Sequence, residues 1–255
     1  MSAAAVQTKA MAQFEKVHFS YGPKKILTDI TFTLYSHETL VILGGSGSGK
    51  STILRLMLGL IDADEGRIFF EGQDITQLDN ERLNQMRKKI GMVFQEGALF
   101  DSLTVGENVG YFLLEHGMDT HGKIGEVEKR VRAVLKLVGL EHCIDMMPSE
   151  LSGGMRRRVA AARTLIYKPD LILYDEPTTG LDPATCENLC DVINDIKKTA
   201  GVSSVVVTHN LEDAWRVGDH FLLIRDGRAL WYGSAKELKA RPKDTLDKFF
   251  RGEKI

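Results

Sequence analysis

Short apolar runs alternate with longer amphipathic segments over most of the chain, a pattern that is typical of an α/β protein. The run Thr39–Leu43 contains no charged position, as in a strand that is buried on both faces. Apolar residues recur with strand spacing in Phe14–Tyr21 and Ile30–Leu34, which predicts two earlier strands. Further short strands are predicted at Arg67–Phe70, Ile90–Phe94, Leu171–Tyr174, Ser204–Thr208, Phe221–Ile224 and Ala229–Tyr232. The Asp226-Gly227 pair predicts a hairpin between the last two.

The apolar period becomes helical between Thr104 and Ala162. Thr104 and Glu107 have the spacing of a capping box, in which each side chain accepts a hydrogen bond from the other residue's backbone amide. One helical face is formed by Val127, Val131, Val134, Leu135 and Val138. We therefore expect a helical subdomain, at about residues 97–162, inserted into a larger α/β domain at 13–235. A flexible tail is expected at 1–12 and a helical extension at 236–255.

Composition narrows the class of protein. Hydrophobic residues make up 43% of the 255 positions and charged residues 27%, which is ordinary for a globular protein. The net charge of −2 lacks the basic excess that nucleic-acid binding usually requires, so we expect no nucleic-acid partner. Three cysteines cannot form a closed disulfide framework, and no apolar run approaches the ~20 residues of a membrane helix. We expect a cytoplasmic protein.

The strongest chemical signal is a phosphate-binding loop between an apolar strand and a helical pattern. It comprises Gly44, Gly45, Ser46, Gly47, Ser48, Gly49, Lys50, Ser51 and Thr52. The glycines allow backbone amides to approach phosphate oxygens, and the following helix directs its positive end at the same anion. Lys50 is expected at the β- and γ-phosphates and the Ser51 hydroxyl at Mg²⁺.

Two adjacent carboxylates, Asp175 and Glu176, follow the apolar strand at 171–174. At the carboxyl end of such a strand, Asp175 can reach the coordination shell of Mg²⁺. Glu176 can then polarise the attacking water as a general base. Two acids after a strand are more often an exposed loop, but together with the phosphate-binding loop they indicate catalysis.

A second anion-binding element is predicted at the start of a later helix. Its residues are Leu151, Ser152, Gly153, Gly154 and Met155. An N-cap role accounts for Ser152 but not for both glycines. The arginines that follow, residues 156–158, could contact anionic lipid or nucleotide. Arginines at the start of a helix are more often solvated or paired with acids at an interface, and we expect that here.

These motifs, with their order along the chain, resemble those of the nucleotide-binding subunits of ABC transporters, over about Phe14 to Tyr232. The resemblance implies a P-loop NTPase (RecA-like) core with an N-terminal antiparallel β-subdomain and an inserted helical subdomain. It implies that Tyr21 stacks on adenine and that Gln95 lies near Mg²⁺ and water. It also implies that His209 is the switch histidine for the γ-phosphate, although Asn210 stands where the family more often has Asp.

The resemblance implies further that residues 151–155 are the signature motif, which contacts the γ-phosphate held by the opposite protomer. Asp182 then belongs to the D-loop, which crosses the dimer interface. Catalysis is expected from Lys50, Gln95, Glu176 and His209, and the Mg²⁺ ligands are expected to be Ser51, Gln95 and Asp175. If the signature lies away from its own phosphate loop, two subunits must enclose two ATP molecules head to tail.

The amino-acid sequences of residues 94–109 and 151–159 resemble the corresponding segments of the ATPase of Mla-type phospholipid transporters, which work with MCE proteins. The expected partners are therefore a second copy of the chain, a membrane permease and an MCE protein, at the cytoplasmic face of the inner membrane. The alternative is the ATPase of a polar amino-acid or other small-solute importer. A soluble ABC protein of translation or repair is disfavoured, because the chain has one cassette and no heptad run.

Overall fold

The computed structural model describes residues 9–115, 124–242 and 244–253, which form two β-sheets flanked by helices. The strands are β1 Ala10–Tyr21, β2 Lys24–Tyr35, β3 Thr39–Leu43, β4 Glu65–Phe70, β5 Gln73–Asp74, β6 Ile90–Val93, β7 Leu171–Asp175, β8 Ser203–Thr208, β9 His220–Arg225 and β10 Arg228–Ser234. The α-helices are α1 Lys50–Met57, α2 Asn80–Arg87, α3 Val105–Glu115, α4 Ile124–Leu137, α5 Gly153–Leu165, α6 Pro183–Ala200, α7 Leu211–Val217, α8 Ala235–Ala240 and α9 Thr245–Arg251.

The predicted α/β class, with an antiparallel sheet and inserted helices, is confirmed. The expectation of a tail through residue 12 was wrong at its end: β1 begins at Ala10, because Met11 and Ala12 are buried in the core of the antiparallel sheet. Residues 1–8 of that predicted tail lie outside the described residues. No helix within the described ranges is both long and apolar enough to cross a membrane.

The larger sheet has the strand order β10-β9-β3-β8-β7-β6, in which all neighbours are parallel except β10 and β9. Its central strand β3 is buried on both faces, as the sequence predicted, with Leu40 through Leu43 fully inaccessible to solvent. Val41 and Leu43 belong to the core on the side of α3 to α7. Leu40 and Ile42 belong to a second core, shared with α1 and the antiparallel sheet.

The antiparallel sheet has the order β2-β1-β4-β5 and covers the second core. Phe14 of β1 and Phe32 of β2 are paired across the strands, and their rings stack with centroids 4.6 Å apart. Such cross-strand aromatic pairs stabilise antiparallel sheets. The sheet also packs against the start of α1, where an ideal Cβ at Gly49 would lie 2.5 Å from Leu27 Cδ2 of β2.

The helices between β6 and β7 pack together on the other side of the larger sheet. The predicted capping box is present: the Thr104 amide donates to Glu107 Oε2 at 2.8 Å and the Glu107 amide to Thr104 Oγ1 at 3.2 Å. The fully buried Asn108 organises the preceding loop, since its side chain accepts from the Phe100 amide and donates to the Phe100, Leu103 and Thr104 carbonyls.

The last two helices return to the parallel sheet. Leu246 and Phe249 of α9 are buried in the larger core. The guanidinium of Arg225, at the end of β9, donates to the Phe249 and Glu253 carbonyls at 3.1 Å each. These contacts fix α9 beside the carboxyl end of β9.

The carboxyl ends of β3, β6, β7 and β8 lie at one edge of the larger sheet, because these strands are parallel and in register. The segments that follow them contain the phosphate-binding loop, Gln95, Glu176 and His209. Ligand sites of open α/β sheets occur at this edge.

The turn between β9 and β10 packs tightly against β2 at Gly227, and this packing predicts the effect of substitutions there on stability. Gly227 has φ +70°, and a Cβ atom there would lie 2.0 Å from the Ile26 carbonyl oxygen. Gly72 also has positive φ (+82°), but nothing lies within 4 Å of its ideal Cβ. We expect Gly72→Ala to lower the free energy of unfolding by about 1 kcal/mol from backbone strain. Gly227→Ala should cost at least about 1 kcal/mol more because it also displaces backbone. Urea unfolding of both variants tests this, and equal losses would contradict it.

Candidate nucleotide-binding site

Residues 44–49 leave β3 and turn sharply into α1. A Cβ atom at Gly44 would lie 2.5 Å from both the Ile224 carbonyl oxygen and Ser48 Oγ, so only glycine fits there. Gly49 is the N-cap of α1 with φ +103°, a conformation that favours glycine. The tight packing of this loop against β9 therefore fixes the start of α1, whose positive end faces the cavity above the sheet.

Lys50 lies across the loop rather than in solvent. Its ammonium donates to the Gly44 and Gly45 carbonyls at 2.8 and 3.0 Å and lies 3.1 Å from Glu176 Oε1. The residue is only 7% exposed. The loop thus holds a buried cation at the position where an anion can approach.

The two predicted carboxylates take different positions. Asp175 Oδ1 accepts a hydrogen bond from Ser51 Oγ at 3.0 Å. Burial raises the pKa of Asp175 above its usual value, and the Ser51 hydrogen bond acts in the opposite direction. A bound cation would favour the ionised carboxylate. The side-chain oxygens of Ser51 and Asp175 thus lie together, and oxygen atoms are the ligands that Mg²⁺ prefers.

Glu176 is held by contacts from three directions. Its backbone has φ +49°, and its amide donates to the Val207 carbonyl at 3.0 Å. Oε2 lies 2.8 Å from His209 Nδ1 and accepts from Thr179 Oγ1 at 3.1 Å, while Oε1 faces Lys50. The carboxylate is therefore directed at the phosphate-binding loop.

A cavity of ≈750 Å³ joins these groups. This volume lies within the range of small-molecule sites, about 300–1,000 Å³. The predicted residues that line it are Tyr21, Gly45, Ser46, Gly47, Gly49, Lys50, Ser51, Thr52, Gln95, Asp175, Glu176 and His209. Gly44 and Ser48 are buried within the loop and support it from behind.

Tyr21, at the end of β1, is the predicted aromatic residue in the lining of the cavity. Tyr21 is 46% exposed, and Phe19 packs edge-on against it with centroids 4.7 Å apart. Arg55 of α1 donates to the Tyr21 hydroxyl at 3.4 Å. The ring is therefore positioned while its exposed face remains available.

Four lining residues were not predicted: Lys24, Ile26, Thr179 and Phe250. Lys24 and Ile26 follow Tyr21 in the same hairpin, and Thr179 follows Glu176, so proximity in sequence could have indicated these three. Phe250 comes from α9, more than 40 residues beyond His209, and only the fold brings it to the site.

The predicted signature residues do not line this cavity. Ser152 is the N-cap of α5 and accepts from the Met155 amide at 3.3 Å. A Cβ atom at Gly154 would lie 2.2 Å from Thr185 Cγ2 of α6, so packing within the chain already requires glycine at this position. Asp182 is the N-cap of α6 and accepts from the Thr185 amide at 3.0 Å.

Arg157 was expected to be solvated or paired with an acid, and that expectation was wrong. The residue is 7% exposed. Its Nε donates to the Gln95 carbonyl at 2.6 Å, and a second nitrogen donates to the Thr179 carbonyl. Burial lowers the pKa of Arg157. Its guanidinium joins the loop after β6 to the loop after β7, a role that no sequence pattern indicated.

Comparison with known protein families and curated proteins gives consistent matches. A family model described as "ABC transporter" matches residues 27–179. MlaF, the ATP-binding protein of the intermembrane phospholipid transport system of Escherichia coli (strain K12), is 38% identical over 242 residues, which cover 95% of this chain and 89% of MlaF. The glycine betaine/carnitine transport ATP-binding protein GbuA of Listeria monocytogenes is 39% identical over 221 residues, 86% of this chain and 55% of GbuA.

Solved structures include a similar ATP-binding cassette, a dimer in a post-hydrolysis state bound to ADP and Pi. It superposes with a TM-score of 0.77 and 32% sequence identity, covering 88% of this chain and 98% of that one. The fold and the loop geometry described above are thus accompanied by similarity in sequence.

The position of Arg157 generates a prediction for catalysis. Lysine keeps the charge but lacks the planar fork, so Arg157→Lys cannot hold both carbonyls. We expect ATP turnover of the purified chain to fall by about tenfold, the equivalent of losing one charge-assisted hydrogen bond. ADP affinity should be nearly unchanged, because Arg157 does not line the cavity.

The matched control is Arg158→Lys, since Arg158 donates to the Val138 carbonyl and contacts neither loop. Steady-state turnover and ADP titration of both variants provide the measurement. Equal turnover in the two variants would show that the link between the loops is unimportant for hydrolysis.

Proposed function

This chain belongs to the ABC transporter family as an ATP-hydrolysing subunit, and we propose that it drives phospholipid transport through a membrane permease. The observation that supports the lipid cargo best is the similarity to E. coli MlaF over nearly the whole length of both chains. The geometry of the cavity supports the chemistry. We assign the roles of individual residues from their positions in it.

ATP binding is assigned to the loop at 44–52 and to Tyr21. Backbone amides and the start of α1 face the phosphates, and Lys50 supplies the cation at the β- and γ-phosphates. The Lys50 ammonium is already desolvated beside Glu176, so the incoming phosphate replaces one anionic partner by another. Tyr21 offers its exposed face to adenine.

Mg²⁺ fits the oxygen donors of Ser51 and Asp175, with the Gln95 side chain lining the same cavity. No group of three or more acidic, histidine or cysteine side chains suited to a metal occurs in the described part of the chain. The single carboxylate of Asp175 agrees with how Mg²⁺ is bound in such sites, through one or two carboxylates together with substrate phosphates and water. When bound, the ion neutralises charge on the phosphates.

Hydrolysis is assigned to Glu176 as the general base. Its carboxylate points towards Lys50, so a water molecule beside the γ-phosphate lies within its reach. His209 and Thr179 orient the same carboxylate through its other oxygen. Asn210, where the family more often has Asp, caps α7 by accepting from the Glu212 and Asp213 amides, a role that either residue fills. Asn210 therefore supports the backbone next to His209 in the same way as an aspartate at this position would.

We propose that two copies of the chain enclose two ATP molecules in a head-to-tail dimer. Residues 151–155 lie outside their own nucleotide cavity, so they are free to contact the γ-phosphate of a second copy. Asp182 lies at the start of α6, next to Gly154 through Thr185, and we place it at the same interface. The dimer of the related cassette with ADP and Pi supports this arrangement.

Coupling to a permease is assigned to residues 94–109 at the entrance of the helical subdomain, which we place at 97–162. Asn108 holds the loop after Phe100 in shape, and Arg163 donates to the Ala98 carbonyl at 2.8 Å. We infer attachment through this permease to the cytoplasmic face of the inner membrane, with an MCE protein as the further partner. Opening and closing of the dimer would then move the permease.

The alternative cargo is a small solute, such as an amino acid or betaine, as in the relative GbuA. The chain matches only about half of GbuA but most of MlaF, so the organisation of the whole chain favours the lipid transporter.

The proposed base generates the second catalytic prediction. Glu176→Gln keeps the size of the side chain but cannot take a proton, so ATP turnover should fall at least about 100-fold. ATP binding should persist, and ATP should trap a dimer that size-exclusion chromatography detects. Glu212→Gln, an exposed carboxamide substitution on α7, is the control. Turnover near that of the parent would remove Glu176 from this role.

The cargo and partners are tested by purifying tagged Glu176→Gln protein in mild detergent from its native membrane. Mass spectrometry should identify an MCE protein, a permease and bound phospholipid. A solute permease with a soluble binding protein would overturn the lipid proposal and leave the ATPase assignment intact. Recovery with ribosomes or DNA would overturn the transport proposal itself.

A further inference from the structure

We propose that Phe250 of α9 forms a wall of the nucleotide cavity and packs against the adenosine part of the bound nucleotide. Phe250 lines the cavity and is 40% exposed, whereas its neighbours Leu246 and Phe249 are buried in the core. The last helix of the chain thus divides its apolar residues between the sheet and the cavity. This inference rests on nucleotide binding and is independent of the phospholipid cargo.

The lining of the cavity contains both polar and large apolar side chains. Most of the lining residues are polar. Glu176 contacts Lys50, Thr179 and His209, and Ser51 is hydrogen-bonded to Asp175, so these groups form one polar cluster, the phosphate end. The large apolar groups in the lining are Tyr21, Ile26 and Phe250. Because a nucleotide joins a highly charged phosphate chain to a flat, weakly polar base, the apolar side chains match the base and the ribose.

Helix α9 is fixed close to the phosphate-binding loop by Arg225. The Arg225 guanidinium donates to the Phe249 and Glu253 carbonyls, on either side of Phe250 in sequence, and lies 6.0 Å from the centre of the Phe249 ring. Arg225 follows Ile224, whose carbonyl packs against Gly44. The same framework therefore positions both the loop and Phe250.

The hairpin side of the cavity is joined to this framework as well. The Thr28 amide donates to the Gly227 carbonyl at 2.8 Å, and Gly227 packs tightly on the Ile26 carbonyl. Ile26, Arg225 and α9 are thus neighbours through the turn between β9 and β10. The Phe250 ring also packs edge-on against the buried Phe249, with ring centroids 4.9 Å apart, so binding does not have to order it first.

A phenyl ring has no hydrogen-bonding group, so Phe250 should increase affinity without selecting one purine over another. The expected signature is an equal contribution to ADP and GDP binding. An aromatic–base contact is worth about a tenfold change in affinity when the ring is removed.

The test is calorimetric titration of the full chain with ADP, which lacks the γ-phosphate that the second protomer is proposed to contact. Phe250→Ala should raise the Kd for ADP by about tenfold, and the Kd for GDP by a similar factor. Phe250→Tyr should retain the parent affinity. Leu137→Ala, which removes an exposed apolar side chain on α4 outside the cavity, is the matched control. Thermal unfolding verifies that the variants fold.

A second variant measures proximity without removing the ring. Phe250→Trp should show a change in tryptophan emission on adding ADP that exceeds the change in the parent, which has Trp215 and Trp231. Arg225→Gln should weaken ADP binding in the same direction as Phe250→Ala. The double variant should show no further loss, because Arg225 acts by positioning α9.

Unchanged ADP affinity in Phe250→Ala, or no added emission change in Phe250→Trp, would overturn the proposal. A loss seen only with ATP, under conditions where the dimer forms, would place Phe250 against the second protomer and would also overturn it. Each result is obtained without lipid or permease, so it does not depend on the outcome of the purification experiment.

Discussion

The burial of β3 on both faces is the constraint on which the rest of the structure depends. Leu40 through Leu43 are fully buried between two cores, so this strand cannot shift without disrupting both. Its neighbours β8 and β9 are parallel to it and share its register, which brings their carboxyl ends to one level. The phosphate-binding loop begins where this strand ends, and Gly44 fits against β9 without room for a methyl group. The chemistry of the site therefore depends on positions set by hydrophobic packing below it.

Much of the fold could be predicted from local patterns because those patterns have local causes. The apolar runs of the parallel strands, the Asp226-Gly227 turn and the capping box at Thr104 each reflect a backbone requirement that neighbouring residues satisfy. The site residues after β3 and β7 were predictable for a similar reason, since this glycine spacing, combined with acids at the end of an apolar strand, is typical of sites that bind phosphate and Mg²⁺. His209, after β8, was expected only from the resemblance to ABC transporter subunits. The geometry around Lys50 and Glu176 agrees with these assignments, while their roles in catalysis stay predictions.

The residues that escaped prediction depend on contacts between distant segments. Arg157 belongs to a run of three arginines that looks like an ordinary charged surface, and only the tertiary structure directs it to the carbonyls of Gln95 and Thr179. Asn108 sits in the middle of an apolar helix, and its role is visible only when the loop it organises is known. Along the sequence, β9, β10 and α8 separate Phe250 from every other residue that lines the cavity. The start of β1 was missed because its small residues carry little strand signal, although Ala12 is buried.

The presence of two separate cores has an evolutionary consequence. Side chains that alternate along β3 enter different cores, so a substitution near Val41 and one near Leu40 meet different neighbours. Effects of substitutions that lie more than about 7–10 Å apart and share no neighbours are close to additive. Helices α3 and α4 can therefore accumulate changes that suit a new partner while the layer around α1 retains its packing. A lineage built on this plan can diversify its cargo by drift in one layer, with the ATP-hydrolysing machinery inherited almost unaltered.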